Sequence, residues 1–206
     1  MRGFLGNLSH SSLAAALLVS ATVSLMAAQD THEKRNVRPH ASEQFMPFGH
    51  SSGSYALEHP SDWRAHERGE RTNIGAEDGL VAGERGFRTI YGAIVQVVPD
   101  PLAGRPDRSV ETSTRLIVEQ VLKRNPHQAM KEPVTADRSL AGAPAFRALI
   151  MGTSPVTGRG ERAEIVVRQH GPDQVFYLVL VSPADDYSSL EAPLRRLRDS
   201  VRIPAR

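Results

Sequence analysis

The sequence contains no cysteine. That excludes disulfides, thiolate metal sites and lipid attachment through a lipoprotein cysteine, so the core alone must hold the fold. Lysine is nearly absent: Lys34, Lys123 and Lys131 are the whole set, and arginine supplies the rest of 25 basic residues against 23 acidic ones. With a formal net charge of +2 and both signs mixed along the chain, the basic footprint that nucleic acid requires is missing, and no nucleic-acid partner is expected. Aromatic residues, at 5%, are too few for a base-stacking platform. There is no P-loop and no H-E-x-x-H. His32-Glu33 lacks its second histidine, and His59 and His66 do not stand at helical ligand spacing, so neither a metal nor a cofactor is expected.

Long apolar runs are also scarce, with one exception. Leu13 to Ala28 reads LAAALLVSATVSLMAA, and Arg2 is the only charge before Asp30. This is shorter than the ~20 residues of a membrane span and has the length of a secretory h-region. Cleavage after Ala28 places Met26 at −3, and cleavage after Ala27 places Leu25 there. A signal peptide over residues 1–28 is expected, with a periplasmic or secreted product and no transmembrane span after cleavage. An uncleaved N-terminal anchor is the alternative.

The next segment is polar and aperiodic. Residues 29–52 carry His32, Pro39, His40, Pro47 and several serines, a composition that predicts a flexible linker, with Phe45, Met46 and Phe48 able to dock on the domain. The domain is expected over 53–206. Tyr55 and Leu57 alternate with Ala56 and Glu58 as in a half-buried strand, Pro60-Ser61-Asp62 marks a turn, and Trp63 comes next as a core anchor. A weaker strand is expected near 71–76 and a loop at 79–86. Thr89 to Val98 is almost wholly apolar and predicts a buried central strand. Val110, Thr114, Ile117 and Val121 form a helical stripe, ended by Asn125-Pro126, so a helix is expected over 109–124. Strands are expected at 143–151, 163–168 and 175–182, joined by loops short enough for antiparallel hairpins. The last, apolar on both faces, belongs mid-sheet. Leu190, Leu194, Leu197 and Val201 predict a final helix over 188–200, in which Pro193 is tolerable within the first turn. The order predicts an α+β fold, a mainly antiparallel central sheet flanked by helices.

Three motif matches lose their meaning in context. Gly49-His50-Ser51-Ser52-Gly53 fits G-x-S-x-G, but a nucleophile elbow needs a strand before the serine and a helix after it. Here a linker precedes the serine and a strand comes after it. Gly158 to Ala163 fits G-x-G-x-x-A, yet AEIVVR continues from it as a strand, so it predicts a hairpin turn. Asp185-Asp186 precede the final helix and suit capping. No catalytic residue is expected. A possible interaction surface comprises Trp63, Arg88 and Tyr91, together with Arg195, Arg196 and Arg198 of the arginine-rich C-terminal helix. Cations there also suit a helix C-terminus, and Trp63 has the size of a core residue.

Several segments together resemble the PsbP-like family, an α/β sandwich shared with Mog-type Ran-binding proteins and with DcrB and LpqN-type envelope proteins. They are Tyr55 to Trp63 (YALEHPSDW), Tyr91-Gly92-Ala93, Val175 to Pro183 (VFYLVLVSP), Asp186-Tyr187, and Ser200-Val201-Arg202-Ile203. The resemblance spans about residues 54–203 and is nearest to the PsbP-like domain that lies behind the catalytic domain of some bacterial zinc metallopeptidases. The peptidase half with its H-E-x-x-H helix has no counterpart here. The resemblance brings no catalytic residues. It implies an exported, non-enzymatic accessory or protein-interaction module that docks to an envelope protein complex, or alternatively a small-ligand or lipid-binding envelope protein. A hydrolase is the remote alternative.

Overall fold

The structure is a computed structural model and describes residues 37–83 and 86–204. The expected signal peptide and the beginning of the expected linker lie outside the described residues. In chain order the elements are β1 (Phe45–Gly49), β2 (Ala56–Pro60), β3 (Arg64–Arg68), β4 (Arg71–Gly75), a 3₁₀ turn (Glu77–Gly79), β5 (Leu80–Gly83), β6 (Gly86–Thr89) and β7 (Gly92–Pro99). After these come α1 (Val110–Arg124), β8 (Gln128–Leu140), β9 (Ala143–Thr153), β10 (Gly160–Gln169), β11 (Gln174–Pro183) and α2 (Tyr187–Asp199).

Seven strands form one antiparallel sheet in the order β3-β4-β7-β11-β10-β9-β8. The most apolar strand, β11, takes the centre, where both of its faces are covered. Phe176, Leu178 and Leu180 point to one side, where they join Val95, Val97 and the α2 stripe of Leu190, Leu194 and Leu197. Val175, Val179 and Val181 point to the other, where they join Ile165, Ile150, Ile117 and Val118. The two-residue period of the strands thus splits one sheet into two cores. The result is α+β, an antiparallel sheet flanked by helices.

α1 forms where its stripe predicted. Ser109 caps it, its side chain accepting from the Thr112 amide at 3.1 Å. In α2, Pro193 is the seventh residue, beyond the first turn, where an interior proline costs ~3 kcal/mol. Three fully buried leucines on one stripe outweigh that cost. Asp186 stands at the N-cap of α2, but its carboxylate bonds the Arg159 guanidinium at 2.8 Å rather than a helix amide.

Residues 37–52, expected within a flexible linker, carry ordered structure. β1 pairs antiparallel with β2, from Phe45 opposite Pro60 to Gly49 opposite Ala56. Before it, the His40 carbonyl accepts from Trp63 Nε1 at 2.9 Å, and Asp62 receives the Ser42 amide at 2.8 Å and faces His40 Nδ1 at 3.0 Å. Val37 is buried in the α2-side core. The polar composition hid this strand because none of its residues is fully buried, so it carries no apolar pattern of its own. Two further segments differ from expectation. The stretch 79–86 supplies β5 and the start of β6 rather than a loop, and 128–140 forms β8, a long edge strand with Pro133 and three register shifts. Edge strands bury little, so their sequences lack an apolar pattern.

Candidate functional site: a groove between α1 and the β5–β6 hairpin

The sheet is wider than the helix that covers it. α1 packs on β8, β9 and β10. At the other side of the same face, the β5–β6 hairpin packs on β4 and β7. It is held there by Asn73, whose Nδ2 donates to the Phe87 carbonyl at 3.2 Å and to Thr89 Oγ1 at 2.9 Å, and by His66 stacked on Phe87 with ring centroids 4.1 Å apart. Between the two lies a cavity of ≈ 490 Å³ over β7, β11 and β10, within the range of small-molecule sites.

Strand register sets its floor. Arg71 on β4 stands opposite Gln96 on β7, and Gln96 stands opposite Tyr177 on β11. Further along β11, Val179 stands opposite Ile165 and Val181 opposite Ala163 on β10, and Glu161 stands opposite Pro183. Tyr177 and Pro183 are six residues apart, so the floor runs ~20 Å from the Arg71 row to the Glu161 row at ~3.4 Å per residue. The middle is apolar and the ends are polar.

The two ends differ in charge. At one end Tyr177 Oη donates to Gln96 Oε1 at 2.6 Å. Burial pushes this phenol above its usual value, and the nearby guanidinium groups of Arg71 and Arg124 pull it partly back. Arg71 also donates to Asn73 Oδ1 at 3.1 Å. Arg88 lines the hairpin wall and is exposed. Among the described residues, none of Arg71, Arg88 and Arg124 pairs with a carboxylate, whereas Arg105, Arg108, Arg115, Arg147, Arg159 and Arg162 each do. At the other end sits Glu161, 8% exposed, hydrogen-bonded by Gln128 Nε2. Burial raises its pKa above the usual carboxylate range, against the lowering effect of hydrogen bonds from Ser154 and Gln128.

The residues expected as an interaction surface lie in different parts of the fold. Trp63 and Tyr91 are 2% and 0% exposed, packed edge to face in the α2-side core, with the Tyr91 hydroxyl bonded to Asp78. Their size and apolar area draw them inward. Arg88 remains at the surface, on the groove. Arg195 and Arg196 are exposed on α2, against the opposite face of the sheet. Arg196 lies over the Phe45 ring at 3.9 Å and 3.7 Å from Glu58. Arg198 is turned inward, 2.7 Å from Asp137 and 3.6 Å from Glu164. Arg71 and Arg124 escaped the sequence reading. The signal that marks their site is Gln96 and Tyr177, polar side chains inside apolar strand runs.

The G-x-S-x-G match forms the turn from β1 to β2, strand to strand with no helix. His50 Nε2 donates to the Gly69 carbonyl at 3.0 Å, which leaves Nδ1 to accept from Ser52 Oγ at 2.8 Å. The turn's amides are committed: Ser51 to Glu67 Oε1, Ser52 to His50 Nδ1 and Gly53 to the His50 carbonyl. None faces outward as an oxyanion donor.

This architecture is the PsbP-like fold. A solved structure that carries the comparison is the cyanobacterial PsbP (CyanoP) of Synechocystis, with a TM-score of 0.50, 12% identity, and coverage of 80% of this chain and 94% of that one. LpqN, involved in cell envelope biogenesis of Mycobacterium tuberculosis, aligns with a TM-score of 0.49 at 17% identity over 79% of this chain and 91% of that one. The Saccharomyces cerevisiae Ran-binding protein Mog1p aligns with a TM-score of 0.48 at 12% identity over 78% and 95%. Identities this low speak to the fold alone. No protein-family model matches the chain, and no curated protein matches its sequence. Among the described residues no helix is long and apolar enough to cross a membrane.

Proposed function

We propose that this protein is an exported, non-enzymatic binding module that holds a small ligand in the groove between α1 and the β5–β6 hairpin. The observation that carries the reading is the groove itself: ≈ 490 Å³ of space with an apolar floor and a few convergent polar groups. Export rests on the h-region at 13–28. The absence of chemistry in this reading rests on the committed amides around Ser51 and Ser52, since a serine without oxyanion donors lacks the larger part of acyl-transfer catalysis. Docking of an envelope protein complex on the α2 arginines has less support, because Arg196 and Arg198 are already occupied within the fold.

Native mass spectrometry of the chain recovered after export tests the reading. A co-purifying small molecule is expected, lost when Val121, which lines the groove on α1, is replaced by Trp. A ligand-free mass under gentle conditions, together with no change on addition of small amphiphiles, overturns it.

A further inference from the structure

We infer that the groove takes a single-chain amphiphile with an anionic head, seated between Arg71 and Arg124 beside Arg88, its chain lying on Ile94, Val179 and Val181. This rests on the groove being the binding site, and adds the class of ligand. Three features carry it. Arg71 and Arg124 line the groove together with Tyr177, Arg71 in the same strand row as Gln96 and Tyr177. Neither they nor Arg88 pair with a carboxylate among the described residues, so their charge is available to a bound anion. The neighbouring polar groups suit such a head as well: the Tyr177 hydroxyl and the Gln96 amide lie in the same strand row as Arg71.

The shape selects the rest of the molecule. A volume of ≈ 490 Å³ lined from Arg71 at one end to Glu161 at the other, ~20 Å along the floor, suits an elongated molecule with its head at one end. The floor of that strip is aliphatic, through Ile94, Val179, Ala163 and Val181, and burying a chain there gains about 0.8 kcal/mol per methylene. Among the described residues the only carboxylate on the lining is Glu161, some six residues of β11 away from the guanidinium row and hydrogen-bonded to Gln128. Charge repulsion on the head is therefore confined to the far end. Because the floor is recessed between α1 and the hairpin, it admits a free amphiphile rather than a membrane surface.

Titration calorimetry on the chain recovered after export tests this with four probes of one chain length: dodecanoate, dodecyl phosphate, dodecanol and dodecyltrimethylammonium. Dodecanoate or dodecyl phosphate is expected to bind at one per chain, at least ~10-fold tighter than the neutral and cationic probes, the worth of one charge-assisted contact. Whichever anion binds tighter separates a carboxylate from a phosphate head. Arg71→Gln with Arg124→Glu is expected to remove that preference while the chain stays folded, with a modest fall in melting temperature from the lost Arg71–Asn73 hydrogen bond and the acidic residue in the last turn of α1. Dodecanol or the ammonium binding as tightly as the anions, or the double variant keeping its preference, overturns the anionic head and leaves the groove as the site. No binding by any of the four overturns both.

Discussion

The hydroxyl of Tyr177 donates to Oε1 of Gln96 at 2.6 Å across the β7–β11 pair, on the α1 face of the sheet. Two polar side chains thereby satisfy each other in strands otherwise built for burial. Tyr177→Phe leaves the amide oxygen without its donor, and is expected to cost about 1 kcal/mol of stability in urea unfolding. An unchanged midpoint at unchanged slope would show that water replaces the hydroxyl without loss.

Glu161 makes stability depend on pH in a direction unusual for a carboxylate. Its folded pKa is raised by burial, so the folded protein binds the proton more tightly than the unfolded chain. The stabilisation from the neutral carboxyl is complete below the ordinary glutamate value of about 4.3 and is lost as pH rises through the folded value. Glu161→Gln keeps a hydrogen-bonding side chain without the charge, and is expected to flatten this fall. Unfolding free energies measured across that range for both proteins check the sign. Parallel curves would assign the pH dependence to another group.

Arg198 has a largely buried side chain, 15% exposed, 2.7 Å from Asp137, which is 7% exposed, and within 3.6 Å of Glu164. Arg198→Ala strands the Asp137 carboxylate in the interior. The expected loss is about 3 kcal/mol, the scale of breaking a buried pair. The companion Asp137→Asn with Arg198→Met, which removes both charges, is expected to recover a large part of it. Denaturant unfolding of the single and double variants measures the coupling.

Gly92 opens β7 with φ +131°, and a Cβ placed there collides with the Ile74 carbonyl oxygen on β4. Gly92→Ala combines a strained backbone, about 1–3 kcal/mol, with a clash against a neighbouring strand. A large drop in melting temperature is expected, with loss of the β4–β7 edge. A variant as stable as the parent would mean that the two strands separate there freely.

The amides of 45–49 that pair with β2 are expected to exchange slowly with solvent deuterium, because β1 is a strand tied to the domain. Exchange at the rate of an unstructured peptide would return this segment to the linker.

Periodicity and apolar runs were sufficient to locate α1, α2, β7, β9, β10 and β11, since each buries a face against the rest of the chain and its pattern records which one. The central place of β11 came from its being apolar on both faces. Patterning also implied an antiparallel α+β sheet. It could not locate β1, β3 or β8, edge strands paired only to the next strand in sequence, whose side chains are mostly exposed and so carry no apolar pattern. Of the groove residues it named only Arg88 as a candidate. Trp63, expected as a core anchor and also named as a surface candidate, and Tyr91, named only as the latter, both lie in the core. Arg71, Arg88, Arg124 and Tyr177 lie on four different elements, β4, β6, α1 and β11. Only the register of β4 on β7 and β7 on β11, with a helix too narrow for its sheet, brings them to one groove.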